Sequence, residues 1–210
     1  MKKILVVTAL LGSASAMAAN LTDSFRNTGV RENSEGVTYP TTTERTGVVV
    51  PFNVAGIQSF DPVGSPGNTI VNFDAAAALG LPSGSPVVMN GVGWNVTLEA
   101  FGASWQSELG VSFGDSAGVD SIFLRPGAGT NTPGIGTFSS AGIIKFGSIP
   151  LPDINLPDGI LQMEFFESFD DVPGGVDGQW VSGNLNLQFV PEPASLSLLG
   201  LAGLALIRRR

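Results

Sequence analysis

The side chains able to do chemistry in this 210-residue chain are carboxylates, hydroxyls and a few amines, because it contains no histidine and no cysteine. A Ser-His-Asp triad, a cysteine nucleophile, an imidazole or thiolate metal site and a disulfide framework are all excluded. One nucleophile pattern is present: Gly114-Asp115-Ser116-Ala117-Gly118 matches G-x-S-x-G and follows a strand-like run. It lacks what activates such a serine. No histidine can act as base, and Val119 to Leu124 reads as a strand where the elbow needs a helix, so a glycine-flanked turn is expected. A serine-lysine dyad would have to use Lys145, the only lysine beyond the first three residues, and no S-x-x-K precedes it.

Paired carboxylates are the catalytic arrangement this composition permits, since a glycosidase needs only an acid and a nucleophile or base. Glu164, Glu167, Asp170 and Asp171 form the pool. On a strand from Ile160 to Phe166, Glu164 shares a face with Ile160 and Gln162, opposite Leu161, Met163 and Phe165, which points it at solvent. A non-enzymatic body is therefore the expectation, with a carboxylate glycoside hydrolase as the alternative. The stretch Glu167 to Trp180 concentrates four acids among glycines, and hard oxygen ligands on a flexible loop are what Ca²⁺ takes. Asp170, Asp171 and Asp177 are the candidate calcium ligands. Their spacing does not follow the EF-hand loop, and a turn-rich connection would look similar. No other cofactor or metal is expected. Trp94, Trp105 and Trp180 would stack on sugar rings if exposed, but Trp94 falls on the apolar face of its strand.

The elements that must position these residues read as strands and turns. In Trp94 to Ala100, Trp94, Val96, Leu98 and Ala100 lie on one face and Asn95, Thr97 and Glu99 on the other. Asn184 to Phe189 alternates likewise. Further runs occur at Val48 to Val54, Thr69 to Phe73, Val87 to Met89, Leu109 to Phe113, Ser121 to Leu124, Ile143 to Phe146 and Ile160 to Phe166. These nine candidate strands predict an all-β fold, a single β-sandwich of jelly-roll type. Asp74, an alanine run from Ala75 to Ala78 and Gly80 predict one short helix. No repeat of fixed period is visible.

The two ends differ from this middle. Met1-Lys2-Lys3, the apolar run Ile4 to Leu11 and the small residues Gly12 to Ala18 form a secretory signal peptide, with signal-peptidase cleavage expected after Ala18 by the Ala16/Ala18 pair. At the other end Pro191-Glu192-Pro193 precedes an uncharged stretch, Ala194 to Ile207, and then Arg208-Arg209-Arg210. Fourteen residues of helix reach about 21 Å against roughly 30 Å of hydrocarbon, a marginal span that arginine side chains extend by snorkelling. The positive end stays on the cytoplasmic side, so the three arginines act as a membrane stop.

Pro-Glu-Pro, a short apolar helix and a terminal arginine cluster, in that order behind a signal peptide, resemble the PEP-CTERM sorting signal of proteins exported by Gram-negative and related bacteria. The resemblance covers about the last 21 residues. It implies recognition of Pro191, Glu192 and Pro193 by an exosortase, an integral-membrane protease, which removes the helix and the arginines. It also implies passage through the inner membrane and a destination at the cell surface or outside, among exopolysaccharide, biofilm or floc.

The expected organisation is a signal peptide at 1–18, a flexible arm at 19–46, a β-sandwich at 47–189 and the sorting signal with its transmembrane helix at 190–210. Residues 19–190 retain five basic against 17 acidic residues, near −12 in net charge. Such a surface repels nucleic acid and attracts cations. The function expected is that of an exported structural or adhesive protein of the extracellular matrix. The alternative is a secreted carbohydrate- or calcium-binding module, with extracellular polysaccharide as the partner.

Overall fold

The computed structural model describes residues 25–26, 47–118, 121–149, 151–171 and 173–192. Ala16, Ala18, Pro193, Arg208, Arg209 and Arg210 lie outside them, as do the expected signal peptide and sorting helix. Among the described residues no helix is long and apolar enough to cross a membrane.

The chain forms twelve strands there: β1 (Phe25–Arg26), β2 (Val48–Asn53), β3 (Ile57–Ser59), β4 (Thr69–Asp74), β5 (Val87–Ala100), β6 (Leu109–Asp115), β7 (Ser121–Leu124), β8 (Gly134–Ser139), β9 (Ile144–Lys145), β10 (Ile154–Leu156), β11 (Ile160–Glu167) and β12 (Gly178–Pro191). They make two antiparallel sheets. The first runs β1-β7-β6-β11-β4. In the second, β5 and β12 lie side by side; β2 and β3 follow one another along the free side of β12, and β8, β9 and β10 follow one another along the free side of β5. The expected all-β, two-sheet architecture is what forms. The short helix is present too: α1 (Ala75–Ala78) starts where Asp74 Oδ1 accepts the Ala77 amide at 2.8 Å.

Two strands are longer than their hydrophobic period suggests. Val87 and Met89 are buried at odd positions, whereas Val92, Trp94, Val96, Leu98 and Ala100 are buried at even ones. A bulge reconciles them: Gln188 pairs with Gly91 and Phe189 with Met89, so Asn90 is the extra residue and the inward face changes parity across it. Two expected strands are thus one. In β12 Val181 does the same, putting Trp180 and then Leu185, Leu187 and Phe189 inward. The run expected at Ile143 to Phe146 shortens to β9 and passes into a 3₁₀ turn at Phe146–Ser148.

The core lies between the sheets. Phe113, Leu161, Met163 and Phe165 from the first meet Leu98, Leu185, Leu187 and Phe189 from the second, all fully buried. Aromatic rings interlock the layers: Phe165 meets Trp180 edge-on at 5.2 Å, and Phe73 stacks on Phe189 at 5.9 Å. Trp94 and Trp180 are therefore core residues, and only Trp105 of the three tryptophans is substantially exposed.

Candidate functional site

At one end of the sandwich two connections cross from sheet to sheet side by side. Gly178 pairs with Ala100 in one sheet, and Glu167 pairs with Leu109 in the other. The links 101–108 and 168–177 therefore leave and enter neighbouring strands at the same end. They are stitched together: the Phe101 amide donates to the Asp177 carbonyl at 2.8 Å, the Ser168 amide to the Glu108 carbonyl at 3.0 Å, and Ser104 Oγ to Asp177 Oδ1 at 3.3 Å. Acidic side chains collect on these links.

Glu167 is the last residue of β11. Period two carries it onto the same face as Leu161, Met163 and Phe165, and it is fully buried. Carboxylate oxygens of Glu108, Glu167 and Asp171 all lie within 4.8 Å of one another. Neither Glu167 oxygen has a well-formed hydrogen bond among the described residues, although the Ser104 hydroxyl and the Glu108 carboxyl are close enough to act on it. Glu108 is fixed by a reciprocal turn, in which its amide donates to the Trp105 carbonyl at 2.9 Å and its Oε2 accepts the Trp105 amide at 2.7 Å. Asp177 is fully buried beside them, its amide donating to the Ser59 carbonyl.

Burial, and then the neighbouring charges of Asp177 and Glu108, push the Glu167 carboxyl up to about 9, with the Ser104 hydroxyl pulling weakly the other way. The site is a cluster of crowded carboxyl groups that demands a proton or a cation. Its chemistry is all hard oxygen, suited to Ca²⁺, Mg²⁺ or Mn²⁺ rather than a soft metal.

Of the candidate calcium ligands, Asp171 is in this cluster. Asp177 adjoins it through its effect on Glu167. Asp170 lies on the same link, with Oδ1 shielded from solvent and without a hydrogen-bond donor. Glu108 was not among the expected ligands, because nothing in its local sequence distinguishes it from a surface acid. Glu167 was legible in principle, since its parity with Leu161, Met163 and Phe165 already places it inward.

The other reactive candidates are committed elsewhere. Ser116 sits in the turn after β6, where the Gly118 amide donates to the Asp115 carbonyl at 3.1 Å and the Ser116 hydroxyl donates to Asp158 Oδ2 at 2.6 Å. That hydroxyl, followed by the Ile160 amide, holds Asp158 below the usual carboxylate range. The strand β7 comes after this turn. Glu164 Oε1 accepts the Gly64 amide at 2.6 Å and the Asn68 side-chain amide at 2.7 Å, which secures the loop ahead of β4. Glu164 and Glu167 point to opposite faces of β11.

At the chain's other functional feature, Pro191 is the last residue of β12 and pairs with Val87, and the Glu192 amide reaches the Pro86 carbonyl at 3.5 Å. Pairing with β2 has ended at Phe189, so a proline without an amide is tolerated on that open side. A family model described as the PEP-CTERM protein-sorting motif matches residues 189–210. No curated protein matches the chain. Among solved structures the chain is similar to one titled as that of infectious bursal disease virus, Gt strain, at 14% identity and a TM-score of 0.31. That alignment covers 77% of this chain and 37% of the viral one, so the chain spans little more than a third of that relative's length. The sorting motif marks the chain as an exosortase-targeted, secreted protein.

Proposed function

We propose that this exported chain is a non-enzymatic structural or adhesive protein of the extracellular matrix, a jelly-roll body handed to the surface or medium once exosortase has removed its tail. The observation that carries the reading is the place of the motif. Pro191, the first residue of Pro-Glu-Pro, is also the last residue of β12, so among the described residues every strand precedes the apolar tail and arginines, whose removal should leave the core in place. The jelly-roll reading is supported by the strand orders, with β4, β6 and β11 in one sheet alternating along the chain with the strands of the other. A non-enzymatic body is supported by Ser116 and Glu164, whose polar atoms serve turns and loops.

A carbohydrate-binding role is the second reading. It is favoured by Trp105 and Phe169, which are exposed at the end of the sandwich where the two crossing links run together. Intact-mass spectrometry of the protein from membrane, surface and medium fractions tests the main reading. The expected result is surface or medium material ending between Pro191 and Ala194. A chain that always keeps Arg210 and stays in the membrane would overturn it.

A further inference from the structure

We propose that Glu108, Glu167 and Asp171 bind a calcium ion that clamps the two sheet-to-sheet links together. Three carboxylates from two links, 59 residues apart between Glu108 and Glu167, converge within 4.8 Å. Convergence alone is common among surface acids. The independent observation is Glu167: it is fully buried, it belongs to the core face of β11, one of its oxygens lies in the cluster, and neither oxygen has a well-formed hydrogen bond among the described residues. A buried ionised carboxylate is costly, so Glu167 must take up either a proton or a balancing cation.

Among the described residues, the charged neighbours that act on Glu167 are the acids Asp177 and Glu108. A divalent cation would balance their charge. Calcium suits the site better than magnesium, because the ligands sit on irregular links that tolerate its flexible coordination, whereas magnesium demands near-ideal octahedral geometry. Glu108 is held in place by the Trp105 amide, which donates to its Oε2 and so fixes the carboxylate beside the cluster. The inference rests on the export reading only for its supply of calcium, since extracellular concentrations match the weak affinity of such modules.

The test uses the full-length chain in mild detergent, stripped with EGTA and titrated with calcium chloride, while melting is followed by circular dichroism. The melting temperature should rise with calcium, with half-saturation at about 10⁻⁴–10⁻³ M. Terbium should give emission sensitised through Trp105, which calcium displaces. Glu167→Gln and Asp171→Asn should lose both signals, and Glu164→Gln should keep them. Asp171 is only half-buried, so its variant answers the question even if Glu167→Gln fails to fold. The proposal is overturned if calcium leaves melting and terbium emission unchanged, which would mean that a shared proton holds the cluster. It is equally overturned if both signals persist in the two variants, which would put the ion elsewhere. The titration uses purified protein, so its failure leaves the sorting reading untouched, and a retained tail would say nothing about the ion.

Discussion

Glu167 is where this protein's chemistry is most concentrated. A strand that alternates correctly must send its eighth residue inward, and here that residue is an acid rather than an aliphatic. Without metal, folding takes up a proton at Glu167 between its ordinary range near 4.5 and about 9. The folded state binds more protons than the unfolded one across that window, so this group's contribution to stability falls as pH rises through it. Glu167→Gln keeps the volume and removes the charge. In EGTA the variant should therefore melt above the parent chain, by a margin that widens from pH 5 to pH 8, as measured by thermal denaturation. A margin that stayed constant or narrowed would show that Glu167 is not a buried acid.

At the scale of elements, the two bulges decide which side chains reach the core. Asn90 and Val181 each absorb one residue, and each converts a sequence whose apolar parity changes midway into one continuous 14-residue strand. Just past the second bulge, Gly183 has φ of +107°, and a Cβ there would collide with the Asn95 carbonyl oxygen across the ladder. Gly183→Ala should cost at least about 1–3 kcal/mol in urea unfolding, because strain and collision add. Gly56→Ala also requires positive φ, +83°, but its Cβ would face open space, so it should cost less. Equal losses in the two variants would mean that the close approach of β12 to β5 at Gly183 adds nothing to the strain.

At the scale of the whole molecule, the last strand ties the core to the processing signal. Phe189 is fully buried against Phe73, two residues before Pro191. Phe189→Ala should cost about 3–5 kcal/mol, read as a lowered melting temperature. Removal of everything after Glu192 should leave melting nearly unchanged. If that trimmed chain melted as low as the Phe189 variant, the tail would be part of the fold rather than a detachable signal.

Much of this was legible in the residues themselves. Alternation in Trp94 to Ala100 and in Asn184 to Phe189 specifies half-buried strands, because side chains on a pleated strand must alternate. Asp74 with its alanine run specifies the helix, and Pro191-Glu192-Pro193 with its apolar tail and arginines specifies the sorting signal. The edge pieces β3, β8 and β10 were not legible. They are three to six residues long and contain or adjoin glycine or proline, and they become strands only because β5 and β12 offer them free backbone groups. Nor could local pattern bring Glu108 to Glu167. Residues 59 apart meet only when both sheets are assembled and their crossing links leave by the same end. Chain-local periodicity thus determined which faces are apolar, while long-range pairing alone decided that the half-buried Glu108 meets the buried Glu167 at one end of the sandwich.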